Sequence, residues 1–185
     1  MIQKLTLPEI GIKYSKDIRK RMLKKILSLA AEDLARTIYE DREGQKFNLA
    51  SNGKAGHDII SEDGKIRVEV KSCHSLHGKQ VLRVGNIYSK FEKCDEVVIV
   101  DFYNDLNNPL VSLIPHDTFY DSHITAGSGG GLWAWDADYF QGNHVGKKRA
   151  EVNTKVFLEH LTPSSKQILI DRNFSEKKLP KDLVV

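Results

Sequence analysis

Apolar residues recur at three- and four-residue spacing between about Ser15 and Glu43, where Leu23, Ile26, Leu27, Ala30, Leu34 and Ile38 fall on one helical face. The pattern predicts one long helix, with Ser15 as its N-cap and Gly44 where a helix stop belongs. Phe47 to Ala50 reads as a short strand, followed by the turn-rich segment Ser51 to Gly56. His57 to Ser61 and Ile66 to Ser72 are strand-like runs joined by Glu62-Asp63-Gly64-Lys65. In the second run Ile66, Val68 and Val70 alternate with Arg67, Glu69 and Lys71, the period of a strand with one buried face.

Further along, Ser89 to Lys93 is expected to lie in a short helix, and Glu96 to Phe102 is a nearly continuous apolar run that suits a buried strand. Leu110 to Ile114 predicts another strand, ended by Pro115. Gly127 to Gly131 predicts a flexible loop and Leu132 to Trp135 a strand after it. Val152 to Leu161 is expected to form a final helix, and the segment beyond Pro163 receives no assignment. A helix, then a hairpin, then strands with interspersed helices define a mixed α/β domain. The length of 185 residues fits a single domain over 1–185.

The hairpin carries a geometric consequence. Asp-Gly at the centre of such a loop favours a two-residue turn. Glu62 would then pair with Lys65, Ile59 with Val68, and Asp58 with Glu69. Facing residues on antiparallel strands hold their Cβ atoms about 5 Å apart, so both carboxylates would share one face. Lys71, two residues beyond Glu69, projects from that face too. Two facing carboxylates repel, and a hard cation relieves the repulsion. Mg²⁺ takes a few carboxylate oxygens, keeps several waters and accepts a substrate phosphate. With the Lys71 ammonium beside it, such a group suits hydrolysis of a phosphodiester.

Asp58, ten intervening residues, then Glu69-Val70-Lys71 resembles the PD-(D/E)xK nuclease motif. The resemblance spans roughly residues 30 to 101 and is most like a type II restriction endonuclease. It implies a restriction-endonuclease-like core, a mixed β-sheet flanked by helices. It also implies that Asp58 and Glu69 bind Mg²⁺ with help from the Val70 carbonyl, and that Lys71 serves the attacking water. His57 stands where the motif has proline, which leaves the acids untouched. Many members add an acid from the preceding helix. Glu32, Asp33 and Glu40 are available, with Glu32 nearly opposite the apolar stripe assigned above and no choice among the three.

Composition alters this picture little. The net charge of +3 is mild, yet basic residues cluster between Lys13 and Lys25, at Lys147-Lys148-Arg149 and near Lys177. Such clusters suit a polyanion, and Lys54, Arg83, Lys147, Lys148 and Arg149 are candidate DNA contacts. Cys73 and Cys94 give no disulfide framework and fit a reducing cytoplasm. No apolar run is long enough to span a membrane. Cys73-His74 and His77 lack the second ligand pair of a zinc site. The expectation is therefore a Mg²⁺-dependent endonuclease acting on double-stranded DNA, a homodimer if it cuts both strands. A structure-selective nuclease and a non-catalytic DNA-binding protein are the alternatives.

Overall fold

Helix α1, Lys16–Glu43, opens the computed structural model, which describes residues 16–50, 56–73, 81–83, 94–102, 107–119, 132–134 and 156–171. Its stop is as expected: Gly44 takes φ 64° and returns its N–H to the Glu40 carbonyl at 3.0 Å, closing the last turn. The buried line along α1 is Leu27, Ala31, Ala35 and Tyr39, flanked by the partly buried Leu23, Leu34 and Ile38. Two alanines in that line let the helix axis approach the sheet closely. Ile26 and Ala30, expected on the buried face, are exposed instead.

The remaining elements are β1 Phe47–Leu49, β2 Ile59–Ser61, β3 Arg67–Cys73, β4 Val81–Arg83, β5 Glu96–Asp101, β6 Leu110–Pro115, β7 Leu132–Ala134 and α2 Pro163–Asp171. Five strands form one sheet in the order β1-β2-β3-β5-β6. Its pairs are antiparallel except β3–β5, which is parallel, so the sheet is mixed as expected. β4 and β7 form a separate antiparallel pair, with Leu82 opposite Trp133. The chain is thus an α/β protein with a mixed sheet flanked by helices. Among the described residues no helix is long and apolar enough to cross a membrane.

Period-2 alternation divides β3 between two tasks. Val68 and Val70 join Ile59, Phe47, Val98 and Val100 in the core under α1, leaving Glu69 and Lys71 on the other face. Burying each such valine or isoleucine contributes about 1.5–3 kcal/mol. β5 is buried on both faces, since Val97, Val98, Ile99 and Val100 are all fully covered. At the far edge the Leu161–Thr162 segment closes β6: Ser112 bridges Leu161, and the Thr162 N–H reaches the Val111 carbonyl at 2.9 Å.

A second tie joins α1 to the start of β5. The Tyr39 hydroxyl donates to Glu96 Oε2 at 2.5 Å, and Arg42 grips the same carboxylate at 2.9 and 3.1 Å. The Arg42 guanidinium also lies 4.3 Å from the centre of the Tyr39 ring. Burial, then the charge on Glu96, raises the Tyr39 phenol above its ordinary range and keeps it a donor.

Two segments depart from expectation. Only Val156 to Glu159 is helical within the described part of the predicted final helix, whereas α2 begins at Pro163. Thr162 Oγ1 accepts the Ser165 N–H at 3.3 Å, an N-cap with proline in the first helical position. The helix expected at Ser89 to Lys93, and Ser15, lie outside the described residues.

Candidate active site

The β2–β3 hairpin keeps the expected register by a different turn. Ser61 pairs with Ile66 across the four-residue loop Glu62 to Lys65, rather than a two-residue loop pairing Glu62 with Lys65. The Gly64 N–H returns to the Ser61 carbonyl at 2.9 Å, and Gly64 takes φ 73°. The Ser61 hydroxyl and the Lys65 N–H both donate to Asp63 Oδ1, at 2.7 and 3.1 Å. These bonds hold the Asp63 carboxyl well down, to about 2. A four-residue loop preserves the same pairing sum, so Ile59 faces Val68 as expected.

At Asp58 the ladder leaves its register, and the expected direct pairing with Glu69 is not formed. The chain bends there, and the Asp58 N–H bonds to the Val68 carbonyl at 2.9 Å. The Asp58 carbonyl accepts the Ala50 N–H at 2.8 Å. Its carboxylate turns toward β3 and accepts the Val70 N–H on Oδ2 at 2.7 Å. That N–H belongs to the peptide joining Glu69 to Val70. Asp58 is therefore fastened through the backbone to the residue that follows Glu69.

Glu69 is 3% exposed and forms an ion pair with Lys71 Nζ, itself 19% exposed. A buried carboxylate on a strand is costly unless it is paired and hydrogen-bonded, and the pair spans two residues of one strand. Cys94, also buried, lies in the same surroundings. Burial, then the charges on Glu69 and Asp95, pushes its thiol up to about 12. A thiol so raised is no nucleophile near neutral pH.

Of the three helix acids, Glu32 is the one whose carboxyl feels the charges of Asp58 and Lys71. Asp33 is exposed and bound to Arg36 at 2.6 Å. Glu40 Oε1 accepts the Phe47 N–H at 3.1 Å and meets Arg36 at 3.4 Å, tying α1 to β1. Glu32 is half-buried, with the Ser28 hydroxyl donating to Oε1 at 3.3 Å. Burial, then the charge on Asp58, raises its carboxyl, while Ser28, Lys25 and Lys71 act the other way. Its charge thus lies within reach of both Asp58 and Lys71. The true buried line, Leu27-Ala31-Ala35-Tyr39, sits roughly a quarter-turn from the stripe drawn through Ile26 and Ala30. That rotation moves Glu32 from the opposite side of the helix to the flank of its buried line. Ala31 and Ala35 were the missed signal.

Other predicted contacts fall elsewhere. Lys54, Lys147, Lys148 and Arg149, with His74 and His77, lie outside the described residues, and Arg83 ends β4. Among the described residues no cluster of at least three His, Cys, Asp or Glu forms a metal cage. Mg²⁺ needs no such cage, because it retains waters and uses one or two carboxylates. The oxygen donors of Asp58 and Glu69 suit that hard ion.

No family model matches the chain, and no curated protein matches it. Among solved structures it is similar to a bacterial homing endonuclease, I-Ssp6803I, at 16% identity and a TM-score of 0.45. That alignment covers 83% of this chain and 95% of the other. A likeness of this size assigns neither family nor activity.

Proposed function

We propose that this chain is a Mg²⁺-dependent endonuclease that hydrolyses phosphodiester bonds in double-stranded DNA, with Asp58, Glu69 and Lys71 as its catalytic residues and Glu32 as a third acid. The observation that carries this reading is the buried Glu69–Lys71 pair with the Asp58 carboxylate fastened to the next peptide. Carboxylates brought together on a partly buried surface repel one another, and a divalent cation with a bound phosphate relieves them.

Asp58 and Glu69, with the Val70 carbonyl, would hold the ion, and Glu32 would serve water or metal from the helix side. The ion, when bound, supplies Lewis acidity at the phosphate and acidifies water. Lys71 then has two duties. Its ammonium offsets charge growing on the phosphoryl oxygens, and its position beside Glu69 orients the attacking water. The water oxygen bonds to phosphorus, the P–O3′ bond breaks and the 3′ oxygen takes up a proton. The products carry 5′-phosphate and 3′-hydroxyl ends.

The finer reading is a type II restriction endonuclease, a homodimer whose two sites cut the two strands of a short palindrome. The test is incubation of the full chain with phage-length duplex DNA and Mg²⁺, beside an EDTA control and Lys71→Ala. Discrete fragments, lost in EDTA and reduced at least ~100-fold by the substitution, are expected. Cleavage of four-way junctions but not linear duplex would replace the restriction reading with a structure-selective one. Duplex binding indifferent to Mg²⁺ and to Lys71→Ala, with no cleavage, would leave only a DNA-binding protein.

A further inference from the structure

The N-terminal part of helix α1 is basic. Arg21, Lys24 and Lys25 are exposed, and the sequence from Ile18 to Ala31 contains no acid. Among the residues whose side chains the structure describes, no ion pair engages Lys24 or Lys25. Asp17 stands four residues before Arg21, while neither Lys24 nor Lys25 has an acid four residues away in either direction.

Their placement is directional. Arg21, Lys25, Ser28 and Glu32 follow at spacings of four, three and four residues. At 3.6 residues per turn these positions fall within about 60° of arc. A rise of 1.5 Å per residue puts Lys25 about 10 Å and Arg21 about 16 Å from Glu32 along the axis. One DNA strand advances about 3.4 Å per nucleotide, so the row reaches a few nucleotides from the acids. The charge on Lys25 is felt at Glu32 itself, so the row is continuous with the candidate active site.

We propose that the Arg21–Lys25 row of α1 is a phosphate rail, along which the backbone of a double-stranded DNA lies so that its scissile phosphate meets Glu32, Asp58 and Glu69. The assignment deepens the endonuclease reading and rests on it for the position of the scissile bond. Arg21 and Lys25 are positioning residues: they hold flanking phosphates and touch no reacting atom. Such contacts fix register on the duplex without reading bases.

The test separates binding from cleavage. Affinity of the full chain for a short duplex of random sequence is measured against salt with Ca²⁺ in place of Mg²⁺. Each phosphate contact contributes about 0.9 to the slope of log affinity against log salt. Arg21→Gln with Lys25→Gln should lower that slope by nearly 2, while Lys65→Gln at the exposed hairpin loop leaves it unchanged. In cleavage assays the same pair should raise KM and leave kcat within a few-fold. Arg21→Lys with Lys25→Arg keeps both charges and should keep the slope, which separates charge from any fault in folding.

An unchanged slope in the glutamine pair, with cleavage by the unaltered chain, overturns the rail and leaves the endonuclease intact. A lowered slope in a chain that never cuts keeps the rail and removes the endonuclease. An equal fall in Lys65→Gln reduces the effect to bulk charge and overturns the rail. A chain that binds no duplex overturns both.

Discussion

Lys71→Met removes the ammonium and keeps the aliphatic stem, so it isolates what the charge does for the buried Glu69. With side-chain exposures of 3% for Glu69 and 19% for Lys71, the pair lies mostly out of water. Breaking such a pair costs about 3–5 kcal/mol because it strands a buried charge. The lower end applies here, since Glu69 keeps another interaction once Lys71 is gone. About 3 kcal/mol corresponds to a fall in Tm of roughly 6–12 °C for a chain of this size. Glu69→Gln should cost less, about 1–2 kcal/mol, because the Lys71 stem can carry its ammonium outward to water. The double variant should then recover about 2 kcal/mol relative to the sum of the singles. Thermal and urea unfolding in EDTA near neutral pH measure all three. Adding Mg²⁺ should raise the Tm of the unaltered chain and of Lys71→Met, and should leave Glu69→Gln unmoved. Additivity within about 0.5 kcal/mol would show that the two residues do not act as a pair.

Glu32→Gln should raise the Tm of the metal-free protein while abolishing most cleavage, because burial and Asp58 disfavour the charged carboxylate in the fold; a lower Tm at neutral pH contradicts that sign. Tyr39→Phe removes a 2.5 Å hydrogen bond to a charged acceptor that Arg42 still holds. About 1.5 kcal/mol, or a Tm lower by roughly 3–6 °C, is expected, and a Tm within one degree of the unaltered chain would count against the tie. Asp63 has its carboxyl lowered from 3.8 to about 2, so its contribution is full above about 4 and lost as pH falls through about 2. Asp63→Asn should therefore flatten the pH dependence of Tm in that window, and an unchanged acid limb would refute the assignment.

The hairpin was legible because several local signals agree there. Asp63-Gly64 marks the turn, Val68 and Val70 mark the buried face, and both fix the same register. The turn itself differs from expectation, since the Ser61 hydroxyl and Asp63 carboxylate stabilise a longer loop that the Asp-Gly pair alone does not reveal. Asp58 left the register for a related reason. A carboxylate can replace a strand partner by accepting the Val70 N–H itself, and residue type says nothing about when it will. Ala31 and Ala35 gave too weak a hydrophobic signal to locate the buried line, so Glu32 was placed on the wrong side of α1. The β4–β7 pair joins three-residue segments some 50 residues apart in sequence, and no local pattern encodes a contact so distant. Helix α2 differs, because Thr162-Pro163 is a start signal readable in the sequence itself.

The two elements that carry the candidate chemistry are also those that build the core beside it. β3 gives Val68 and Val70 to one face and Glu69 and Lys71 to the other; α1 gives Leu27, Ala31, Ala35 and Tyr39 to the core and Glu32 to its flank. Helix position and acid position are therefore one variable: the packing of Ala31 and Ala35 against the sheet also sets the distance from Glu32 to Asp58. Hydrophobic packing of α1 thus holds Glu32 where it feels the charge of Asp58, with Lys25 and Lys71 acting against that repulsion. Relaxation would separate the charges, but it would also open the buried core that α1 closes. Under the proposed function, a divalent cation would relieve the repulsion between Glu32 and Asp58. The row from Lys25 to Arg21 extends positive charge outward from the same helix, so the surroundings favour a polyanion just where the acids alone would repel one.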